Sequence, residues 1–325
     1  MRYCRQIQMA EIGQQGQAKL LNARVLVVGA GGLGCQVLPL LVGAGVGFIR
    51  IFDADVVDES NLHRQTLYRM SDLGKKKVDI AINTLQTLNP DVDMEGHSTR
   101  LYVHNIKQAI QDIDLVIDAA DNFVTTYLLS DVCFAQYIPF VSASVMMREG
   151  YVGAFCAGAP SYRAVFPRIP QQLGSCNTQG VMGSAVAVIG AMQAQVALSI
   201  LLDFKPVVLG QFFQFDLSTW QYKTMKFQSA EEPEHQSIEF IDVSSVTPED
   251  YVVELREDHE LKTAPSIPAT IRLTVAQCNT YAWPTPIKRL VLVCRQGVRA
   301  LSAAQSLVGV ANVEHIAILA MGDES

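Results

Sequence analysis

The chain contains no Cys-x-x-Cys pair. Its seven cysteines, Cys4, Cys35, Cys133, Cys156, Cys176, Cys278 and Cys294, are odd in number and irregular in spacing. Both facts exclude a secreted disulfide framework and a four-cysteine zinc site. There is no basic tail and no long basic run, and the net charge is −7 over 325 residues, so nucleic acid is not an expected partner. Internal repeats and low-complexity segments are absent. The opening residues Met1-Arg2-Tyr3-Cys4-Arg5-Gln6 do not have the pattern of a signal peptide, and a reducing cytoplasm is the expected location. Long uncharged runs are few. The one between Arg24 and Arg50 is broken by glycines and reads as strand, turn, helix, strand. The other, Val181 to Leu202, carries Ser184, Gln193, Gln195 and Ser199 and has no basic flank on its N-terminal side. It is expected to be a buried helix and not a membrane span.

What is present belongs to a globular chain: 49% of residues are hydrophobic and 18% charged. An amphipathic helix is expected over 7–23, with a turn at Gly13-Gln14-Gln15-Gly16. Strands follow at Val25–Gly29, Phe48–Asp53, Leu115–Ala119 and Pro139–Ala143. Helices are expected at Gly34–Ala44, Lys76–Leu88 and Val124–Gln136, the second stopped by Asn89-Pro90. The alternation predicts an α/β fold, a doubly wound and mostly parallel sheet covered on both faces. The acidic stretch 229–237, with Pro233 inside it, reads as a linker between a first domain, 1–228, and a smaller α/β domain, 238–325. Within the second, strands are expected at Tyr251–Leu255, Leu290–Val293 and Ile316–Leu319, with a helix at Ala300–Val308.

Gly29-Ala30-Gly31-Gly32-Leu33-Gly34 follows a strand and opens a helix. Such a loop lets the backbone approach phosphate oxygens while the helix N-terminus supplies N–H donors. Asp53 ends the next strand, where a carboxylate can hold ribose hydroxyls. These features alone leave NAD and ATP evenly matched. The next motifs favour ATP: Ser60-Asn61-Leu62-His63-Arg64-Gln65, Gly74-Lys75-Lys76-Lys77 and Asp121-Asn122-Phe123. Hydride transfer has no need of such a set. Nucleotidyl transfer must hold a triphosphate, neutralise charge as pyrophosphate leaves, and place a metal by a carboxylate.

A second chemical signal sits near the C-terminus. Cys294-Arg295-Gln296-Gly297-Val298-Arg299 joins the apolar strand to a helical pattern. A cysteine there faces unpaired N–H groups and the positive end of a helix dipole, with Arg295 and Arg299 nearby, so a thiolate with a lowered pKa is expected. Cys35, beside the glycine loop, reads as packing. Cys4, Cys133, Cys156 and Cys278 have no neighbours that point to chemistry.

Over roughly residues 2–228 these motifs, in this order and together with Arg2–Gln6, resemble the ThiF/MoeB/HesA family of ubiquitin-activating-type enzymes. The Cys294 segment resembles the active loop of a rhodanese, whose cysteine carries a persulfide. The first resemblance implies that Gly31, Gly32, Gly34 and Asp53 cradle ATP and that Asn61, Arg64 and Lys77 contact its phosphates. It also implies that Asp121 holds Mg²⁺ and that Arg5 reaches into the partner subunit of a homodimer. Cys176, in a glycine-rich loop, lies where the family carries a cysteine that takes part in sulfur or acyl transfer. The two resemblances together imply ATP-dependent adenylation of a ubiquitin-fold sulfur-carrier protein ending in Gly-Gly. Sulfur transfer from Cys294 would follow, with Arg295, Gly297 and Arg299 shaping the loop and a persulfide donor such as a cysteine desulfurase loading it. An NAD-dependent oxidoreductase and a non-catalytic scaffold are the other classes.

The chain departs from the family pattern in three places. The positions of two CxxC zinc pairs hold Ser161-Tyr162-Arg163-Ala164 and Phe227-Gln228-Ser229-Ala230, so no structural zinc is expected. Thr126 stands where the family has an arginine. The usual Asp-x-Arg-Glu of the rhodanese-like part reads Glu254-Leu255-Arg256-Glu257, with Glu260 following.

Overall fold

The computed structural model describes residues 2–167, 180–233, 238–261, 267–309 and 312–321. Strands β1 (Arg24–Val28), β2 (Phe48–Phe52), β3 (Asp93–His97), β4 (Leu115–Asp118), β5 (Phe140–Met146), β6 (Glu149–Phe155), β7 (Gln211–Asp216) and β8 (Gln221–Lys226) form one sheet in the order β3-β2-β1-β4-β5-β6-β7-β8. The first five are mutually parallel, and β5 to β8 run antiparallel. The expected doubly wound α/β sheet is therefore present. Its antiparallel extension was not anticipated.

The helices are α1 (Cys4–Ile7), α2 (Gly13–Asn22), α3 (Gly34–Ala44), α4 (Lys77–Leu88), α5 (Val103–Ala109), α6 (Phe123–Ala135), α7 (Tyr162–Val165) and α8 (Gly183–Leu201). Strand alternation sorts the core. Val25, Val27, Ile49, Ile51, Leu115 and Ile117 face one side and pack with residues of α3, α4 and α8. Leu26, Val28 and Val116 face the other, toward α5 and α6. The helix α8 is long and apolar enough to cross a membrane by length and composition, but half of it is buried inside the protein, and it packs on α3, β5 and β6. The single helix expected over 7–23 is two helices. The break falls at residues 8–12, before the glycines and not at them.

A second sheet contains β9 (Ile238–Ile241), β10 (Tyr251–Glu254), β11 (Ile271–Arg272), β12 (Ile287–Cys294) and β13 (Val313–Ala320), all parallel, in the order β11-β10-β12-β13-β9. Among the described residues this part also holds the helices α9 (Asp258–Leu261), α10 (Val275–Cys278) and α11 (Val298–Leu307). On β12, Val291 and Val293 face a small separate cluster, while Leu290, Leu292 and Cys294 face a core shared with α11 and with α6 of the first part. Cys294 thus faces the first part of the chain. The stretch 229–237 is not a free tether along its first half: Glu232 accepts hydrogen bonds from Ser161 N and Ser161 Oγ, both at 2.6 Å.

Candidate nucleotide site and cysteine loop

The glycine loop is held from several sides. Gly29 has a φ of +101°, and a Cβ there would stand 2.5 Å from the Ala119 carbonyl oxygen. A Cβ on Gly34 would meet the Gly29 carbonyl at 2.1 Å, so no larger residue fits this close turn. Asp53 Oδ2 accepts from Ala30 N at 2.7 Å, and its Oδ1 accepts from Asp55 N at 2.8 Å. Tyr68 Oη donates to the Ala30 carbonyl at 2.7 Å. Burial raises the Asp53 carboxyl above its ordinary value, against the lowering effect of Lys77 and the two N–H groups. Asp53 therefore shapes the loop as well as standing where ribose would lie. A Cβ on Gly31 would lie 3.7 Å from Gln65 Nε2, and one on Gly32 would lie 2.9 Å from Val186 Cγ1 and 3.7 Å from Arg64 Cγ.

Arg64 lies across Gly32 and donates to the Ser60 carbonyl at 3.1 Å. Asn61 ends the 3-10 turn Glu59–Asn61, capped by Asp58. Lys77 is the first residue of α4 and is only 4% exposed, although a helix N-terminus disfavours a cation. Asp55 pairs with it at 3.1 Å and also receives Arg100 at 3.6 Å. Lys75, by contrast, pairs with Asp72 at 3.2 Å on the surface, as a solvated charge would. Gln65 is buried and its Oε1 has no hydrogen-bond partner among the described residues. The sequence placed it in a motif but gave it no role.

Asp121 lies in the turn from β4 to α6, exposed, with no hydrogen bond or ion pair from the described residues. Asn122 caps α6 by accepting from Thr125 N at 2.9 Å. Beneath this turn sits Asp118, fully buried. Its Oδ2 accepts from Thr126 Oγ1 at 2.7 Å and Ser142 Oγ at 2.9 Å, and its Oδ1 from Ala120 N at 3.2 Å. Gln193 of α8 donates to its carbonyl at 2.7 Å. Thr126 is thus part of the support beneath Asp121. The sequence could not reveal this, because the contacts join β4, β5, α6 and α8.

Burial pushes the Asp118 carboxyl from 3.8 up to about 6, despite the hydroxyls that favour the charged form. A carboxyl raised on folding lends stability below its unfolded value and loses it as pH rises through its folded value. The difference is worth ~3 kcal/mol. The urea midpoint of the wild type should therefore fall relative to that of Asp118→Asn between pH 4 and pH 7. A difference between the two that stays constant across this range would contradict the assignment.

The N-terminal motif is pinned to the first sheet's helices. Arg2 donates to the Leu88 carbonyl at 2.6 Å, Asn89 donates to Tyr3 Oη at 2.8 Å, and Gln6 donates to Gln17 Oε1 at 2.8 Å. Arg5 is left exposed between them. Cys176 lies outside the described residues. The positions expected to lack zinc ligands are filled otherwise: Ser161 caps α7 and binds Glu232, while Phe227 is buried and stacks on Phe155 at 5.0 Å between centroids. Among the described residues no three His, Cys, Asp or Glu side chains gather as a metal cage.

Cys294 ends β12 and is 1% exposed. Its Sγ accepts from Ala300 N at 3.4 Å. Gly297, with a φ of +80°, makes the turn into α11. Arg299 is tied to Glu260, and Glu260 Oε2 accepts from Glu257 N at 2.7 Å. Glu254 and Arg256 form a buried pair, Arg256 Nη2 to Glu254 Oε2 at 2.7 Å. Arg295 is exposed. The Ala300, Gly297 and Arg299 N–H groups and the Arg299 charge favour thiolate, as expected. Burial outweighs them and raises the thiol above its ordinary value. The expectation of a lowered pKa is therefore corrected: the helix N-terminus is there, but in this closed loop desolvation wins.

A family model described as the ThiF family matches residues 3–237. The adenylyltransferase and sulfurtransferase MOCS3 of Culex quinquefasciatus is 42% identical over 230 residues, covering 70% of this chain and 52% of that protein. The adenylyltransferase and sulfurtransferase uba4 of Emericella nidulans is 39% identical, covering 70% and 50%. The SAMP-activating enzyme E1 of Haloferax volcanii is 37% identical, covering 70% of this chain and 85% of its own. The chain spans about half the length of the MOCS3 relatives it matches. Among solved structures, E. coli MccB with MccA-N7isoASN shares the fold at a TM-score of 0.64 and 19% identity, over 72% of this chain and 74% of that one. With the motif order of its first sheet and these matches in agreement, the chain belongs to the ThiF family.

Proposed function

We propose that this chain adenylates the C-terminal glycine carboxylate of a ubiquitin-fold sulfur-carrier protein ending in Gly-Gly, then exchanges AMP for sulfur carried on Cys294. The observation that carries this reading is the polarity of the first site. Lys77, buried beside Asp53, and Arg64, half-buried across Gly32, bring positive charge to the glycine loop, and the Asp121 carboxylate, which follows β4, has no partner among the described residues. A triphosphate and its metal would take up these charges. The names of the mosquito and fungal relatives pair both activities.

Gly31, Gly32 and Gly34 would receive the phosphates on backbone N–H groups, Asp53 the ribose, and Asn61, Arg64 and Lys77 the charge that develops as pyrophosphate leaves. Asp121 would hold Mg²⁺, since that ion is commonly held by one or two carboxylates plus substrate phosphates, and when bound it would supply positive charge against the phosphates as pyrophosphate leaves. The carrier carboxylate attacks the α-phosphorus, the bond to pyrophosphate breaks, and an acyl-adenylate forms. A persulfide on Cys294, loaded by a donor such as a cysteine desulfurase, then attacks the carbonyl carbon, and the C–O bond to AMP breaks with its electrons on AMP. The product is an acyl disulfide. Attack by the Cys176 thiolate on the Cys294 sulfur would release the carrier thiocarboxylate and leave a Cys176–Cys294 disulfide for a dithiol reductant. Structural zinc has no part in this scheme, because the Ser161–Glu232 clasp and Phe227 take the places of its ligands. Nucleic acid and membrane have none either, and reduced cysteines suit the cytoplasm. The oxidoreductase alternative gives Arg64 and Lys77 nothing to do.

The test is ATP–pyrophosphate exchange by the purified chain with a panel of Gly-Gly-ended carriers. Exchange that depends on both carrier and Mg²⁺ is the expected result. Its absence with every carrier, together with NAD reduction by a small substrate, would replace the reading.

Arg5 is exposed on an anchored motif, so it is free to act on a second subunit's nucleotide in a homodimer. Co-expressed Arg5→Ala and Asp121→Ala chains should regain exchange that neither has alone, because one composite site per hybrid dimer is intact. Hybrid dimers as inactive as the parents would count against a role across the interface.

A further inference from the structure

The cysteine loop and the nucleotide-side turn meet across a cleft within a single chain. Gly297 packs on α6, where a Cβ would stand 2.9 Å from Val124 Cγ1. The cleft is lined by Asn122 and Thr125 at the start of α6, Gln296 from the cysteine loop, Asp242 just beyond β9, Arg100 shortly before α5 and His104 within it. Asn122 is the neighbour of Asp121, and Gln296 is two residues from Cys294. Two contacts join the walls: His104 Nδ1 lies 3.9 Å from Asp242 Oδ2, and the Arg163 guanidinium sits 5.6 Å from the centre of the Phe240 ring.

The covalent connection independently limits how far the walls can part. Ser161 holds Glu232 on the first sheet's side, and β9 starts at Ile238. Residues 233–237 between them reach at most about 20 Å when fully extended, at roughly 3.5 Å each. A tether of this length keeps the start of β9, and with it the second sheet, close to the first sheet of its own chain.

We propose that sulfur is delivered in cis: the cleft receives the extended glycine-ended tail of the carrier, and the persulfide on Cys294 attacks the acyl-adenylate made at Asp121 of the same chain. This rests on the adenylation and sulfur-transfer reading above. In the transfer a C–S bond forms and the C–O bond to AMP breaks, with AMP leaving as the anion, as in that scheme. The loop's closed seat on Val124 is then the resting position, from which Cys294 is exposed only when the Gly297 contact opens.

Two experiments test this, the first without a carrier. Val124→Ala removes the side chain on which Gly297 rests. Iodoacetamide labelling, followed peptide by peptide, should accelerate several-fold at Cys294 while exposed Cys4 is unchanged and buried Cys133 stays protected. Equal Cys294 rates in wild type and variant would overturn the docking. In the second, Asp121→Ala and Cys294→Ser chains with different tags are co-expressed, and mixed assemblies are given ATP, a persulfide donor and a carrier that supports exchange with the wild type. Each chain then lacks one half of the cis pair, although the Arg5 residues of both are intact. Thiocarboxylate yield at the background of the separate variants is expected, and wild type paired with the double variant should keep the yield of its one complete chain. Recovery in the Asp121→Ala with Cys294→Ser mixture would show delivery between chains and overturn the proposal. Exchange by Cys294→Ser reports on adenylation separately, so failure of that reading is not confused with failure of the cis arrangement.

Discussion

Asp121→Ala should lower carrier-dependent ATP–pyrophosphate exchange a hundredfold or more, and Arg64→Ala should do the same. Asp121 has no internal duty: it is exposed and takes no bond from the described residues, so its replacement leaves the fold beneath it unchanged. The turn that carries it is fixed by Asn122, Asp118, Thr126 and Ser142. A preorganised charge costs nothing to reorganise during the reaction, and removing one such contact typically costs about 3–4 kcal/mol. Arg64 offers the complementary charge from across Gly32. Exchange at the wild-type rate by both variants, with thermal unfolding unaltered, would show that the nucleotide is held elsewhere.

Cys294→Ser should leave exchange near the wild-type rate and abolish formation of the carrier thiocarboxylate. The two effects separate because Cys294 belongs to the second sheet, while every residue assigned to the nucleotide belongs to the first. Serine is close in size, and the buried hydroxyl can still accept from Ala300 N. Arg299→Ala should weaken transfer without abolishing it, because Arg299 acts on the sulfur through charge from its tie to Glu260. A normal thiocarboxylate yield from Cys294→Ser would reduce the second sheet to a docking module and move sulfur transfer to Cys176.

Local signals carried the fold where both ends of an element were marked. Gly34–Ala44 was read to the residue, since the glycine loop opens it and Gly45, with a φ of +85°, closes it. The parallel strands β1, β2, β4 and β5 were legible as short apolar runs. The hairpins β6 to β8 were not. The residues of β8 are all exposed, so no apolar run marks it. The nucleotide residues were legible because their spacing follows one local strand-turn-helix unit. Asp118 was not, because its meaning lies in Thr126, Ser142 and Gln193, which meet it only in three dimensions. Cys294 shows the same limit in reverse: the loop predicted the N–H groups around the sulfur, while the burial that outweighs them depends on packing from α11 and the shared core.

The most direct measurement of the whole scheme is the intact mass of a Gly-Gly-ended carrier after incubation with this chain, ATP, Mg²⁺ and a persulfide donor. The account predicts a carrier in which one terminal oxygen is replaced by sulfur, formed only when ATP is present and lost with either Asp121→Ala or Cys294→Ser. A carrier of unchanged mass, from protein that exchanges pyrophosphate with that same carrier and holds sulfane sulfur on Cys294, would contradict it.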